Sequence, residues 1–405
     1  MLYPAILYFE NNKKRNNSMN ILMGHEAQPE GDGVTVVVRK IAKKAVEYGD
    51  KSIVVTGWVQ HQELSPVPLY FVPAIRFPLY REYRMPYQTR FDENLVKKLD
   101  AFDPDVIHLH SPGPFFARAI IAYARQKGIP IIGTYHTDFD KYLRYYHLSL
   151  LRPLLWFLLR GVYNNVDAVT TPSQATAESL IYHGVKNVHV IPWGTDLKGF
   201  NPSYRSAQWR AKILTGEQKK IMLFVGRLTW EKDLKTLAKV WNILRGTRND
   251  VVMVIAGDGP NRKDLEKLMP KAQFLGRINK EDLAIAYASS DILLFPSSTE
   301  TFGNVTIEAM ASGIVPVVAN EGGSKTLVKD GETGFLCRTR DAKDFAQKTQ
   351  QLLDDENLYA RMRSACITYA QDFSWERVYE HIRDIYTSVI QEEVPAYEEE
   401  LLSQG

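Results

Sequence analysis

The sequence predicts an α/β fold of two doubly wound domains, and three observations carry that expectation. Short apolar runs such as Asp291-Ile-Leu-Leu-Phe-Pro296 and Ile314-Val-Pro-Val-Val-Ala319 read as parallel strands buried on both faces. Polar or glycine-bearing loops and helical stretches alternate with such runs, the pattern that builds parallel sheets. A chain of 405 residues is too long for one ordinary core, so two domains of roughly 180–200 residues are expected.

Composition narrows the class. An apolar fraction of 45% and a charged fraction of 24% describe an ordinary soluble globular protein. Cys337 and Cys366 supply neither a disulfide framework nor metal-ligand spacing, which suits a reducing cytosol. The net charge of +3 is too small to imply nucleic acid, although the first 200 residues are the more basic half.

Taken in order, residues 1–18 read as a disordered extension or the product of an upstream start codon. Their apolar run is too short for a membrane span, and its charges follow rather than precede it. Met19 then precedes a first strand. Gly31 and Gly33 permit close backbone approach to a ligand where the helix Val34 to Tyr48 begins. Ser52 to Thr56 completes a βαβ unit. Asp103-Pro-Asp105 reads as a turn into a strand rather than a metal-binding Asp-x-Asp, and His108 and His110 as satisfied strand histidines. His136 stands in the polar mouth of the strand that begins at Ile129.

Residues 138–160 combine aromatic, basic and apolar groups. Tyr142, Arg144 and Tyr145 precede a nearly continuous apolar run from Leu148 to Arg160, shorter than the roughly twenty residues that span a bilayer. Arg152, Trp156 and Arg160 recur at fours, on similar faces of a helix that could lie on an anionic membrane or cover the first sheet. Leu197 to Ser206 reads as the linker. The expected domains are 19–200 and 201–373, followed by an amphipathic helix at 374–390 capped by Ser374 and a frayed acidic tail at 391–405.

The second domain opens on a strand, a glycine turn and two cations, Arg227 and Lys232. A forked guanidinium and a mobile ammonium suit a diphosphate leaving group that no metal neutralises. The stretch Ser297 to Met310 forms a polar loop and a helix opening near Gly303, with free N–H groups in its first turn. Glu300 in the loop and Glu308 on the helix, separated by seven residues, can hold two parts of one extended ligand.

Gly226-Arg-Leu-x-x-Glu-Lys232 together with Glu300-x7-Glu308 resembles the family-four retaining glycosyltransferases of the GT-B fold, and the likeness runs through nearly all of residues 19–390. It implies two Rossmann-like domains facing across a cleft, a nucleotide-sugar donor mainly on the second and an acceptor on the first. By the same resemblance, Arg227 and Lys232 bind the phosphates, Glu300 the sugar hydroxyls and Glu308 the ribose. Phe302, Gly303 and Asn304 complete the donor loop, and Gly33 sits beside the diphosphate. His136 lies close to the sugar, and Arg277 and Ile278 lie near the base. Transfer of a hexose with retained configuration, without metal or cofactor, is implied.

His136-Thr-Asp-Phe-x-x-Tyr-Leu-Arg-Tyr-Tyr146 is similar to the diacylglycerol-type branch, which makes sulfoquinovosyl, glucosyl and mannosyl lipids. A lipid acceptor, a UDP-hexose donor in preference to a GDP-hexose, and a peripheral place on the cytoplasmic face of the membrane follow from that branch. A transferase for soluble or lipopolysaccharide glycans, or a non-catalytic sugar-nucleotide binder, are the alternatives.

Overall fold

The computed structural model describes residues 18–26, 33–57, 67–77, 80–110, 113–145, 148–215 and 219–391. The expected N-terminal extension and acidic tail therefore lie almost wholly outside the described residues, as do the side chains of Tyr142 and Tyr145.

The first domain holds β1 (Asn20–His25), β2 (Lys51–Thr56), β3 (Leu69–Phe71), β4 (Ala74–Phe77), β5 (Tyr80–Pro86), β6 (Val106–Leu109), β7 (Ile131–Thr134), β8 (Ala168–Thr171) and β9 (Val188–Val190). Seven of them form a parallel sheet in the order β3-β2-β1-β6-β7-β8-β9, while β4 and β5 pair as an antiparallel hairpin. Ile21, Leu22 and Met23 of β1 are fully buried, as helices on both faces require. Asp103 takes a left-handed conformation that ends the helix Glu93–Phe102, and the Asp105 carboxylate accepts from the Asn20 N–H at 2.7 Å. The Asp-Pro-Asp run is thus the expected turn into a strand.

The second domain holds β10 (Lys220–Val225), β11 (Val251–Ala256), β12 (Gln273–Gly276), β13 (Ile292–Phe295), β14 (Val315–Ala319) and β15 (Phe335–Cys337), all parallel in the order β12-β11-β10-β13-β14-β15. Each sheet reverses its winding at a neighbouring pair, β1/β6 in the first and β10/β13 in the second. Such switch points open a crevice at the carboxyl ends of their strands, where ligands bind. The two carboxyl edges approach each other: Ser173, just beyond β8, donates to the Thr301 carbonyl beyond β13 at 2.6 Å.

The helix Trp375–Ile390, capped by Ser374, returns to the first domain. Its Tyr379 hydroxyl and Arg383 guanidinium donate to the buried Asp50 carboxylate at 2.8 and 3.0 Å, and Glu376 accepts from Lys44 at 2.5 Å. Tyr386 meets His108 Nδ1 at 2.6 Å, while His108 Nε2 meets Thr134 at 2.6 Å. His108 is therefore a satisfied core histidine.

One expectation needs correction. The helix Arg152–Tyr163 does present Arg152, Trp156 and Arg160 along one side, but that side is not its free apolar face. Trp156 is only 4% exposed, and its indole N–H donates to Asp140 at 3.1 Å. A buried acceptor drew the ring inward. The exposed apolar groups are instead Leu150, Leu151, Leu154, Phe157 and Leu158, with Leu150 at 95% and Phe157 at 67%.

Candidate active site

The second domain contributes two loops at its switch point. One leaves β10 through Gly226 and carries Arg227 and then Lys232; the other joins β13 to the helix Asn304–Ala311. They are fastened together by hydrogen bonds from Ser298 to the Asp233 carboxylate at 2.8 Å and from Thr299 to the Glu231 carbonyl at 3.2 Å. Between these fasteners, Lys232 Nζ lies 2.5 Å from Glu300 Oε1, which Ser297 also approaches at 3.3 Å. Arg227 is exposed, and no hydrogen bond or ion pair to its side chain is found among the described residues. A forked cation is therefore left presented at the mouth beside a paired ammonium.

Backbone packing shapes the donor loop. Gly303 has φ +101°, and a Cβ there would fall 2.6 Å from Ser324 Oγ. Gly323 donates to the Glu300 carbonyl at 2.7 Å, and a Cβ on it would strike the Thr301 and Phe302 backbone at 2.4 Å. The Gly322-Gly323 pair thus lets a second backbone lie against the loop. Phe302 is buried near Phe373, ring centroids 6.2 Å apart, so only backbone at this position is offered to a ligand. Asn304 is exposed on the helix's first turn.

Glu308 sits one turn further on, half-buried, accepting from the Tyr287 hydroxyl at 3.1 Å. Burial pushes its pKa up to about 7, although the Tyr287 hydrogen bond and the Lys280 charge oppose the rise. Arg277 is exposed and Ile278 half-buried, both just past β12 on the same edge of the sheet.

The first domain supplies the facing wall. His25 ends β1, His110 follows β6, and His136 lies beyond β7. Burial holds all three pKa values below the ordinary imidazole range, His25 down to about 3. His136 stacks on Trp193 with centroids 5.2 Å apart and faces His110, with 3.0 Å between nitrogens. Gly33 opens its helix with no atom within 4 Å of a would-be Cβ; the loop before it is outside the described residues. The sequence reading gave Ser173, Trp193, His110 and the Gly322-Gly323 pair no ligand role. Their common signal is position at a strand's carboxyl end.

In the 138–160 segment of the first domain, Asp140 gathers the basic residues. Arg152 meets it at 2.5 Å and Arg144 at 2.8 Å. Burial opposes its charge, but the Arg152 and Trp156 hydrogen bonds and the Arg144 charge outweigh that, and its pKa is lowered. Trp156 stacks on His183, with centroids 3.8 Å apart and planes 4° from parallel. Arg160 donates to the His183 carbonyl at 3.2 Å.

Two parallel doubly wound sheets with opposed carboxyl edges, a cationic loop and two spaced carboxylates define the GT-B architecture. Comparison with known proteins agrees. Residues 31–198 match the model of glycosyltransferase family 4, and residues 206–371 that of glycosyl transferases group 1. The chain is 33% identical over 351 residues to sulfoquinovosyl transferase SQD2 of Arabidopsis thaliana, covering 84% of this chain and 67% of that one. It is 32% identical over 367 residues to a GDP-mannose-dependent alpha-mannosyltransferase of Corynebacterium glutamicum, covering 89% and 87%. Identity to the alpha-monoglucosyldiacylglycerol synthase of Streptococcus pneumoniae is 28% over 264 residues, covering 62% and 58%. Among solved structures, a glycosyltransferase from Rickettsia africae superposes with a TM-score of 0.74 at 18% identity, covering 93% of this chain and 99% of that one. The chain belongs to the family-four glycosyltransferases and has their GT-B fold.

Proposed function

We propose that this glycosyltransferase moves a hexose from a nucleotide diphosphate sugar to a hydroxyl of a membrane lipid such as diacylglycerol, with retained configuration and without a metal ion. The observation that carries the reading is the convergence of Arg227, Lys232 and Glu300 on one pair of fastened loops, with Glu308 on the helix that follows the second loop. In this arrangement Arg227 and Lys232 would take the diphosphate, and the Lys232–Glu300 pair would open so that each partner gains a ligand group. Glu300 would then hold sugar hydroxyls, Glu308 the ribose, and backbone near Arg277 and Ile278 the base.

The N–H groups at Gly303 and Asn304 add positive potential at the helix start. The hydroxyl would attack the face the diphosphate leaves, with a departing phosphate oxygen taking its proton. Arg227 and Lys232 stabilise the charge that grows on that oxygen. His136 serves as a hydrogen-bond partner of the sugar.

Support for a lipid acceptor comes from the exposed Leu150, Leu154 and Phe157, an apolar face on a segment that also carries Arg152 and Arg160, a composition that suits an anionic membrane surface. Among the described residues no helix is long and apolar enough to cross a membrane. The resemblance to the lipid-synthase branch is what supports peripheral contact on the cytoplasmic face. The name of the Streptococcus relative favours diacylglycerol, and the resemblance to lipid synthases favours UDP. The Corynebacterium relative, covered over more of its length, favours GDP-mannose as the second donor.

The test is nucleotide release from a panel of UDP- and GDP-sugars, with and without diacylglycerol in anionic micelles. Lipid-dependent turnover of one donor is expected. Turnover indifferent to lipid, with soluble glycans accepted, would remove the lipid and membrane parts of the proposal.

A further inference from the structure

His110 is a buried group that the reaction as described does not use. It is 2% exposed, and its ring lies over His108 with centroids 3.8 Å apart. Its Nδ1 is 3.0 Å from His136 Nε2, and its Nε2 is buried with no hydrogen-bond partner. One hydrogen joins the two rings, and it can belong to either. If His136 donates from Nε2, His110 must carry its own proton on Nε2, which buries an N–H with no acceptor. If His110 donates from Nδ1, what is buried is a bare nitrogen lone pair.

Native interiors tolerate an under-used acceptor better than an orphan N–H. The second placement is therefore favoured, and it leaves the His136 proton on Nδ1. No hydrogen bond to that atom is found among the described residues, and His136 keeps 9% exposure at the carboxyl edge of the sheet. Burial, with the neighbouring imidazoles adding to it, keeps both rings neutral.

We propose that His110 is a positioning residue for the transfer reaction, fixing His136 as the neutral Nδ1–H tautomer so that it presents an N–H donor, never a base, to the cleft. This rests on the reading of the cleft as the donor-sugar site. The ligand atom opposite His136 must then accept a hydrogen bond: a hydroxyl oxygen, or a sugar substituent that carries no proton at all.

Long-range 1H–15N correlation spectra of the full chain labelled with 15N-histidine report each tautomer without any substrate. Both His110 and His136 are expected to show a protonated Nδ1 and a bare Nε2. A proton on His136 Nε2 would overturn the proposal. In the second arm, His110→Phe keeps a ring over His108 but cannot donate. It is expected to lose the His136 tautomer and to lower kcat by roughly 10–100-fold, the range seen when a partner that orients a metal-bound histidine is lost, with the donor KM changing far less.

His110→Asn, whose amide N–H reaches the place of Nδ1, is expected to restore the tautomer and most of the rate. An unchanged kcat in His110→Phe, with the His136 tautomer altered, would refute the positioning role. If neither variant folds, the wild-type spectrum still decides the tautomer. If no nucleotide sugar is turned over at all, the functional reading falls, while the spectrum judges the histidine pair separately.

Discussion

Lys232→Ala separates a phosphate-binding role from a structural one. The ammonium is paired with Glu300 at 2.5 Å, with side-chain exposures of 17% and 20%. Truncation leaves Glu300 partly solvated and still approached by Ser297, so the cost to folding is about 1 kcal/mol, that of a modest, partly screened pair. A shift of roughly 2–4 °C in melting temperature is expected for a domain of this size. The cost to catalysis is larger. Removing one fixed donor to a developing anion costs about 10²–10³ in kcat, some 3–4 kcal/mol. Nucleotide release at saturating donor, measured beside a thermal melt, should therefore show a loss of transfer far beyond the loss of fold. Wild-type kcat at saturating donor would refute the phosphate role, and activity lost in step with melting would assign Lys232 to structure alone.

Glu308 sets a pH dependence. With its folded pKa near 7, the ionised form that in the proposed reading would accept ribose hydroxyls is depleted below neutrality, so donor affinity should fall about tenfold per unit below pH 7. Glu308→Gln should bind more weakly and lose that slope. The folded pKa lies above the ordinary 4.5, so this carboxyl's contribution to stability is lost as pH rises from about 4.5 to 7; Glu308→Gln should melt higher than wild type at pH 8, read by calorimetry. Asp50→Ala should destabilise by about 3–5 kcal/mol, because it removes the buried carboxylate that accepts from Arg383, Tyr379 and the Met19 N–H; a melt within a degree of wild type would contradict the docking role of that carboxylate. Leu154→Ser with Phe157→Ser should weaken binding to anionic vesicles at least tenfold, since each exposed side chain can bury roughly 1.5–3 kcal/mol of apolar surface, with the fold intact by circular dichroism. Trp156→Ala should instead cost core stability, roughly 3–5 kcal/mol in a denaturant titration.

The sequence by itself determined the parallel α/β class and the loops at the strand ends. Those are local matters: an apolar run of strand length, a glycine where two backbones meet, a serine at Ser173 or Ser374 that caps the helix it precedes. The stations of Arg227, Lys232, Glu300 and Glu308 were legible for the same reason, since each sits within a few residues of a strand or helix end. What only the tertiary structure decided is which groups meet across sequence. Lys232 reaches Glu300 because β10 and β13 are neighbours at the sheet's switch point. Trp156 turned inward because Asp140, sixteen residues earlier, offers a buried acceptor that helical periodicity cannot reveal. His110 meets His136 because β6 and β7 are neighbouring strands, and no spacing along the chain encodes which nitrogen holds the proton between them.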